Sequence, residues 1–215
     1  MLNHLTRVLF AKLLAPVMLG IGICLMPFLA HAQATNQSAW PQKPIRWIIP
    51  YAAGGGTDVI ARPIAIKLSE VLGQPILYDN RGGAGGLQAA EAVAKSPADG
   101  YTFIVSDGSL VSSNAALFKQ LAYNPKEMIP VALLGQTPLF LAAHPDMPVS
   151  SLREFVDYVK ARPNEINYGS SGVGSIHHLS MEAMQVALGL RMIHVPYRGT
   201  GQSVPALLGG HVPVL

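Results

Sequence analysis

Apolar and polar positions change period repeatedly along this chain. Ile45-Arg46-Trp47-Ile48-Ile49-Pro50, Pro75-Ile76-Leu77-Tyr78-Asp79 and Tyr101-Thr102-Phe103-Ile104-Val105 are apolar runs of strand length. Between them the spacing turns helical. Ile60, Ile64, Leu68, Val71 and Leu72 share one face of a helix expected over 57–72, capped by Thr57 or Asp58. Pro63 implies a kinked first turn there, or a later start. Helices are also expected over 86–95 and 109–118. Strands joined by single helices imply parallel pairing with right-handed crossovers, an α/β class.

Residues 119–150 are punctuated by Pro125, Pro130, Pro138, Pro145 and Pro148 and read as the passage into a second lobe. Beyond them Ser151 and Glu154 form a capping-box pattern, with Leu152, Phe155, Val156 and Val159 on one apolar face. A strand near 166–168, a helix over 175–188 stopped by Gly189, a strand over 192–197 and a helix over 202–208 follow. Val212-Pro213-Val214-Leu215 is again strand-like, and the sequence reads as lacking a C-terminal part.

The first 32 residues form a different block. Arg7 and Lys12 precede an uncharged run from Leu13 to Leu29, and Ala30-His31-Ala32 fits a small-x-small cleavage site. This reads as a signal peptide, with a transmembrane helix the alternative. Export places the protein in the periplasm. Cys24, the only cysteine, lies in that block, so the exported part has neither thiol nor disulfide. Cleavage there takes Lys+Arg from 15 to 13 against 12 acids. Such a balance excludes the concentrated basic face that nucleic acid requires.

Two glycine-rich turns, each between a strand and a helix, carry the candidate chemistry. The first is Pro50-Tyr51-Ala52-Ala53-Gly54-Gly55-Gly56-Thr57-Asp58 and the second Asn167-Tyr168-Gly169-Ser170-Ser171-Gly172-Val173-Gly174-Ser175. Unpaired amides and the helix dipole make such turns anion sites. Amides of Gly55, Gly56 and Thr57 are expected to face those of Ser171, Gly172, Val173, Gly174 and Ser175 across a cleft. Hydroxyls of Thr57, Ser170, Ser171 and Ser175 add donors. Asp58 would repel an anion and is expected to turn away as a cap. Arg62, Arg81 and Arg198 would raise the local potential. Asp107 either recognises an amino group or caps the next helix. Neither turn fits a Walker A or G-x-G-x-x-G pattern, and Val173 spoils a nucleophile elbow at Ser171. Adjacent His177 and His178 point apart, a poor metal geometry, so neither metal nor cofactor is expected. His178 is expected to pack or hydrogen-bond locally.

These segments resemble, in order, the signatures of the tripartite tricarboxylate transporter substrate-binding receptors, the Bug family. They are the first glycine turn with Ala61-Arg62, then Asn80-Arg81-Gly82-Gly83-Ala84-Gly85-Gly86 and Ala98-Asp99-Gly100-Tyr101-Thr102. The second glycine turn with His178-Leu179 and Glu182 follows, and then Val195-Pro196-Tyr197-Arg198-Gly199 through Leu207-Leu208-Gly209-Gly210. The resemblance implies an α/β, periplasmic binding protein type II-like fold, with two lobes, mainly parallel sheets and a ligand cleft between them. The lobes would be 41–120, without its C-terminal return, and 121–215. It implies a monomeric receptor, not an enzyme, that delivers a small organic carboxylate to a membrane permease of two subunits. Carried over, ligand contacts would fall on Ala53, Gly55, Gly56, Thr57 and Asp58 and on Gly169, Ser170, Ser171, Gly172, Val173, Gly174 and Ser175; Tyr51, Asp107 and His178 complete the expected ligand-binding set. A periplasmic hydrolase using Ser170 or Ser171, and a partner presenting an acid to a sensor kinase, are the alternatives. The first predicts ester turnover lost on alanine substitution.

Overall fold

The computed structural model describes residues 40–215, so the expected signal segment lies outside the described residues. Within Lys43–Leu215 the polypeptide builds two parallel sheets. The first has the order β2-β1-β3, from β1 (Ile45–Ile49), β2 (Ile76–Asn80) and β3 (Thr102–Ile104). Its register pairs Trp47 with Tyr78 on one side and with Phe103 on the other. The second sheet pairs β4 (Asn167–Ser170) with β5 (Ile193–Pro196), setting Tyr168 opposite His194.

Helix α1 (Gly56–Leu72) runs unbroken past Pro63 and returns the chain from β1 to β2. Gly55, in extended conformation, occupies its N-cap without a side-chain bond, so neither Thr57 nor Asp58 caps it. The buried stripe also differs from the expected one. It centres on Ala61 and Ala65, with Ile64, Leu68 and Leu72 beside them, whereas Val71 is 82% exposed. Small residues at the centre let the helix approach the sheet closely, and Val71 falls about a quarter-turn off that line. Ile45, Trp47, Ile49 and Ile76 complete this core.

Helix α2 (Leu87–Ala94) and the short α3 (Ser113–Leu117) flank a smaller cluster around Ala90, Leu110 and Tyr123. From Ile129 to Leu141 the chain has no regular secondary structure. None of its backbone groups bonds within the described residues, and Ile129, Val131, Leu133 and Phe140 are all more than three-quarters exposed. Pairing resumes at Ala142, which exchanges both backbone hydrogen bonds with Leu215. Val214, fully buried, bridges Ala143 on one side and Tyr168 on the other.

Helix α4 (Leu152–Lys160) buries Phe155 and Val159 but leaves Leu152, at its exposed start, outside the core. Helix α5 (Ile176–Leu188) ends at Gly189 in the left-handed conformation, as its sequence implies. Met147, Tyr168, Met181, Leu190, Met192 and Val214 complete the second core. Helix α6 (Thr200–Leu208) follows β5 directly, and its Ala206 and Leu207 pack with Val212.

Candidate functional site

Both glycine turns leave the C-terminal end of a parallel strand and enter the N-terminus of a helix, where open α/β sheets place ligands. Each is also fastened by the same device. The third residue of the helix reaches back to the amide just before the cap. At the first turn Asp58 accepts from the Gly54 N–H (2.9 Å), and at the second the Nδ1 of His178 accepts from the Gly174 N–H (3.3 Å). The glycine-free start of α4 repeats it: the Glu154 carboxylate accepts from Ser150 N–H (2.7 Å) and Ser151 Oγ from Glu154 N–H (3.2 Å). This is the reciprocal logic of a capping box.

At the first turn the fastening is ionic. Asp58 is 2% exposed; one oxygen also accepts from Arg62 Nε (2.8 Å), the other from Asn80 Nδ2 (3.2 Å). Burial pushes this carboxyl up, but Arg62, the Gly54 amide and Asn80 together outweigh it and hold it below the usual carboxylate range. Asp58 therefore has no face for a ligand. Two of the three expected amides are also occupied: Gly55 N–H donates to Ala52 O (3.3 Å) and Gly56 N–H to Thr200 Oγ1 (2.9 Å). Thr57 remains half-buried. Ala53 carries its carbonyl against Gly201, where a Cβ would lie 2.4 Å from that oxygen.

The second turn is fastened by hydroxyls and imidazoles. Gly169, inside β4, gives its N–H to Val214 O (2.8 Å), which removes it from the candidate contacts. Ser170, fully buried, has its Oγ 2.6 Å from His194 Nε2 and accepts from Gly172 N–H (3.0 Å). Ser171 Oγ lies 3.0 Å from His177 Nδ1. Ser175 N–H donates to Gly172 O (3.1 Å), while Ser175 Oγ caps α5 by accepting from His178 N–H (3.3 Å). Val173 is half-exposed and aims its carbonyl at Gly85. Gly85 needs its missing side chain: φ is +61°, and a Cβ would sit 2.4 Å from that carbonyl.

The two turns converge through short bridges. Gly172 packs on Tyr197 O, while the next carbonyl, that of Arg198, accepts from Ala52 N–H (2.8 Å). Tyr51, buried, donates its hydroxyl to Asp107 Oδ2 (2.7 Å). The other oxygen of Asp107 accepts from Ser109 N–H (3.0 Å) and from the Ser109 hydroxyl, so of its two anticipated roles it fills the capping one. Burial and then Asp107 push the Tyr51 phenol up. Burial lowers the His177 imidazole, with Asp107 pulling the other way. A cavity of about 380 Å³, within the range of small-molecule sites, lies beside this junction. It is lined by Gly82, Gly83, Ala84, Gln88, Gly172, Val173 and the segment Pro196-Tyr197-Arg198, and by none of Ala53 to Asp58.

Residues absent from the sequence-based set now enter it. Thr200 occupies a first-turn amide, and His194 sits beneath the second turn between Tyr168 (ring centroids 5.0 Å) and His178 (4.0 Å). Among the described residues, no group of three or more His, Cys, Asp or Glu side chains is placed to hold a metal ion.

A family model described as the tripartite tricarboxylate transporter family receptor matches residues 60–215. Protein BugT of Bordetella pertussis is 38% identical over 183 residues, covering 84% of this chain and 56% of that protein. A second relative, from Cupriavidus necator and described as the UPF0065 protein in the gbd 5′ region, is 35% identical over 194 residues, covering 90% and 57%. Among solved structures, an R. palustris protein with adipate superimposes with a TM-score of 0.78 at 37% identity, over 81% of this chain and 59% of that one. MatC from Rhodopseudomonas palustris with bound malate gives 0.77 at 37% identity, over 81% and 60%. A third is described as a periplasmic transporter (0.76, 37%, over 82% and 59%). The chain thus spans less than two-thirds of the length of the proteins it matches.

Proposed function

This chain belongs to the family of tripartite tricarboxylate transporter receptors and has their α/β periplasmic-binding-protein fold, and from that premise we propose that it is a solute receptor for a small organic carboxylate. It works in the periplasm and hands its ligand to a membrane permease of two subunits. Two lobes, 41–120 and 121–215, each contribute one glycine turn.

The observation that carries this reading is the convergence of two strand-to-helix turns on a shared junction at Tyr197-Arg198. The second turn is the principal carboxylate anchor. Its fastenings are hydroxyls and imidazoles, whereas the first turn is closed by the buried Asp58 carboxylate, paired with the more exposed Arg62, and by Thr200. Thr57, Ser171, Gly172, Val173 and Gly174 are the contacts proposed, with His178 behind the Gly174 amide. Ser170 supplies no hydrolytic centre: it is fully buried, and its Oγ is already engaged by His194 and the Gly172 amide. Each helix terminus contributes about 0.3–1 kcal/mol toward an anion, while micromolar capture requires about 8 kcal/mol. Direct hydrogen bonds and exclusion of water therefore carry most of the affinity.

Thermal unfolding against a panel of dicarboxylates, aromatic acids and acidic amino acids tests this. A ligand at a hundredfold excess over its Kd adds about 2.7 kcal/mol. A panel that leaves the midpoint unmoved removes the receptor reading; ester hydrolysis lost in Ser171→Ala would replace it.

A further inference from the structure

The amide of Gly174 is held by a titratable acceptor, and that acceptor is stacked on a second histidine. Because His178 Nδ1 receives the Gly174 N–H, the ring carries its proton on Nε2, which lies 3.9 Å from Glu182 Oε1. His194 lies against the same ring, with centroids 4.0 Å apart and planes inclined by 28°. Its own Nε2 meets Ser170 Oγ at 2.6 Å, and Ser170 in turn holds the Gly172 amide. The pair thus reaches Gly172 and Gly174, on either side of Val173, one through each ring.

We propose that His178 and His194 are positioning residues which make carboxylate capture at this turn take up one proton, so that affinity rises as pH falls. This rests on the reading of the second glycine turn as a carboxylate site. A carboxylate that recruits the Gly174 amide strips Nδ1 of its donor and brings negative charge toward the vacated lone pair. Protonation at Nδ1 turns that repulsion into attraction. By linkage, an anion that favours the charged ring binds more tightly where protons are plentiful.

The surroundings limit the uptake to one proton. On α5 the pair faces Glu182, which favours a cation and is itself held by the Tyr168 hydroxyl and by Gln185 Nε2 (2.9 Å). On β4 it faces the Tyr168 phenol, pushed up by burial and by Glu182, and the Ser170 hydroxyl. Asp107 acts on His177, the neighbouring ring. Two imidazolium rings stacked so closely repel, and burial first, then His178, lowers the His194 imidazole to about 4 against the pull of Glu182. His178 therefore accepts the proton and His194 stays neutral beside it.

The test uses the full chain, with adipate and malate as probes, in ¹H–¹⁵N NMR and titration calorimetry. Between pH 8 and 5 the Gly174 amide resonance moves with the His178 imidazole, and His194→Asn, which removes a ring that stays neutral, leaves that dependence in place. Kd falls with pH by up to about tenfold per unit, the ceiling for one linked proton. Calorimetry in buffers of different ionisation enthalpy reads a proton uptake between zero and one. His178→Asn keeps an acceptor for Gly174 and abolishes both the uptake and the slope. A Gly174 resonance indifferent to His178, binding without proton uptake, or a slope that survives in His178→Asn overturns the proposal while leaving the receptor reading intact. No binding of either acid, with an unmoved midpoint across the wider panel, overturns both.

Discussion

The two glycine turns share sequence character, strand-to-helix geometry and a reach-back fastening, yet they are locked by opposite chemistry. Asp58, between Arg62, Asn80 and the Gly54 amide, is a permanent charge in a closed ion pair. His178, between Gly174, Glu182 and His194, is an imidazole that holds its amide through a ring nitrogen. A rigid wall and an adjustable one result from a single substitution of chemistry at the third helical position. The glycines set the shape of each turn; the residue four positions after each fastened amide sets how firmly it is held.

The strongest way to break this contrast is to deny the second turn its seat. Gly85→Ala places a Cβ against the Val173 carbonyl at a left-handed backbone position, an expected loss of about 2–4 kcal/mol from strain and overpacking. Acid binding should vanish with it, as calorimetry and thermal unfolding would show. Asp58→Ala attacks the rigid wall. It leaves the Gly54 amide without an acceptor and Asn80 Nδ2 with only the Tyr51 carbonyl, an expected cost of about 2–3 kcal/mol in chemical denaturation. The carboxyl of Asp58 is depressed in the folded state, so its contribution is present above about pH 4, the unfolded carboxylate range, and fades as pH falls further. Acid unfolding of the substituted chain should lose that component.

Smaller changes sharpen the comparison. Thr200→Val removes the hydroxyl that accepts from Gly56, costing about 1 kcal/mol and exposing a first-turn amide to ligand. If carboxylate affinity then rises, the hydroxyl competes with ligand; if it falls, Thr200 belongs to the contact set. Ser151→Ala, at the glycine-free start of α4, should cost about 0.5–1 kcal/mol and leave acid affinity untouched. A change in affinity there would remove the distinction between capping and capture.

The strands and helices were largely legible because their signals are local. Alternating blocks located β1 to β5, Gly189 marked the end of α5, and Ser151 with Glu154 marked the start of α4. The helix faces were less so. Counting apolar residues favoured Val71 and Leu152, whereas close packing on the sheet favours Ala61 and Ala65, whose small size an apolar count undervalues. At the candidate site, sequence located both turns but not who satisfies their amides. Thr200 and His194 come from strand and helix starts distant in the chain, and only the β4–β5 register sets His194 opposite Tyr168. Gly169 and Ser170 looked available because nothing local reveals that Val214 and His194 claim them.

The irregular run through Ile129, Val131, Leu133 and Phe140 bears on how this polypeptide behaves at high concentration. Bare peptide groups flanked by oily side chains form an adhesive ribbon, the kind that zips neighbouring molecules together edge to edge. Leu134 packs on the first core and Gly135 sits beside Ile60, so only part of the run is free to adhere, and dilution or mild detergent should alter the dispersity of this chain by acting on that part.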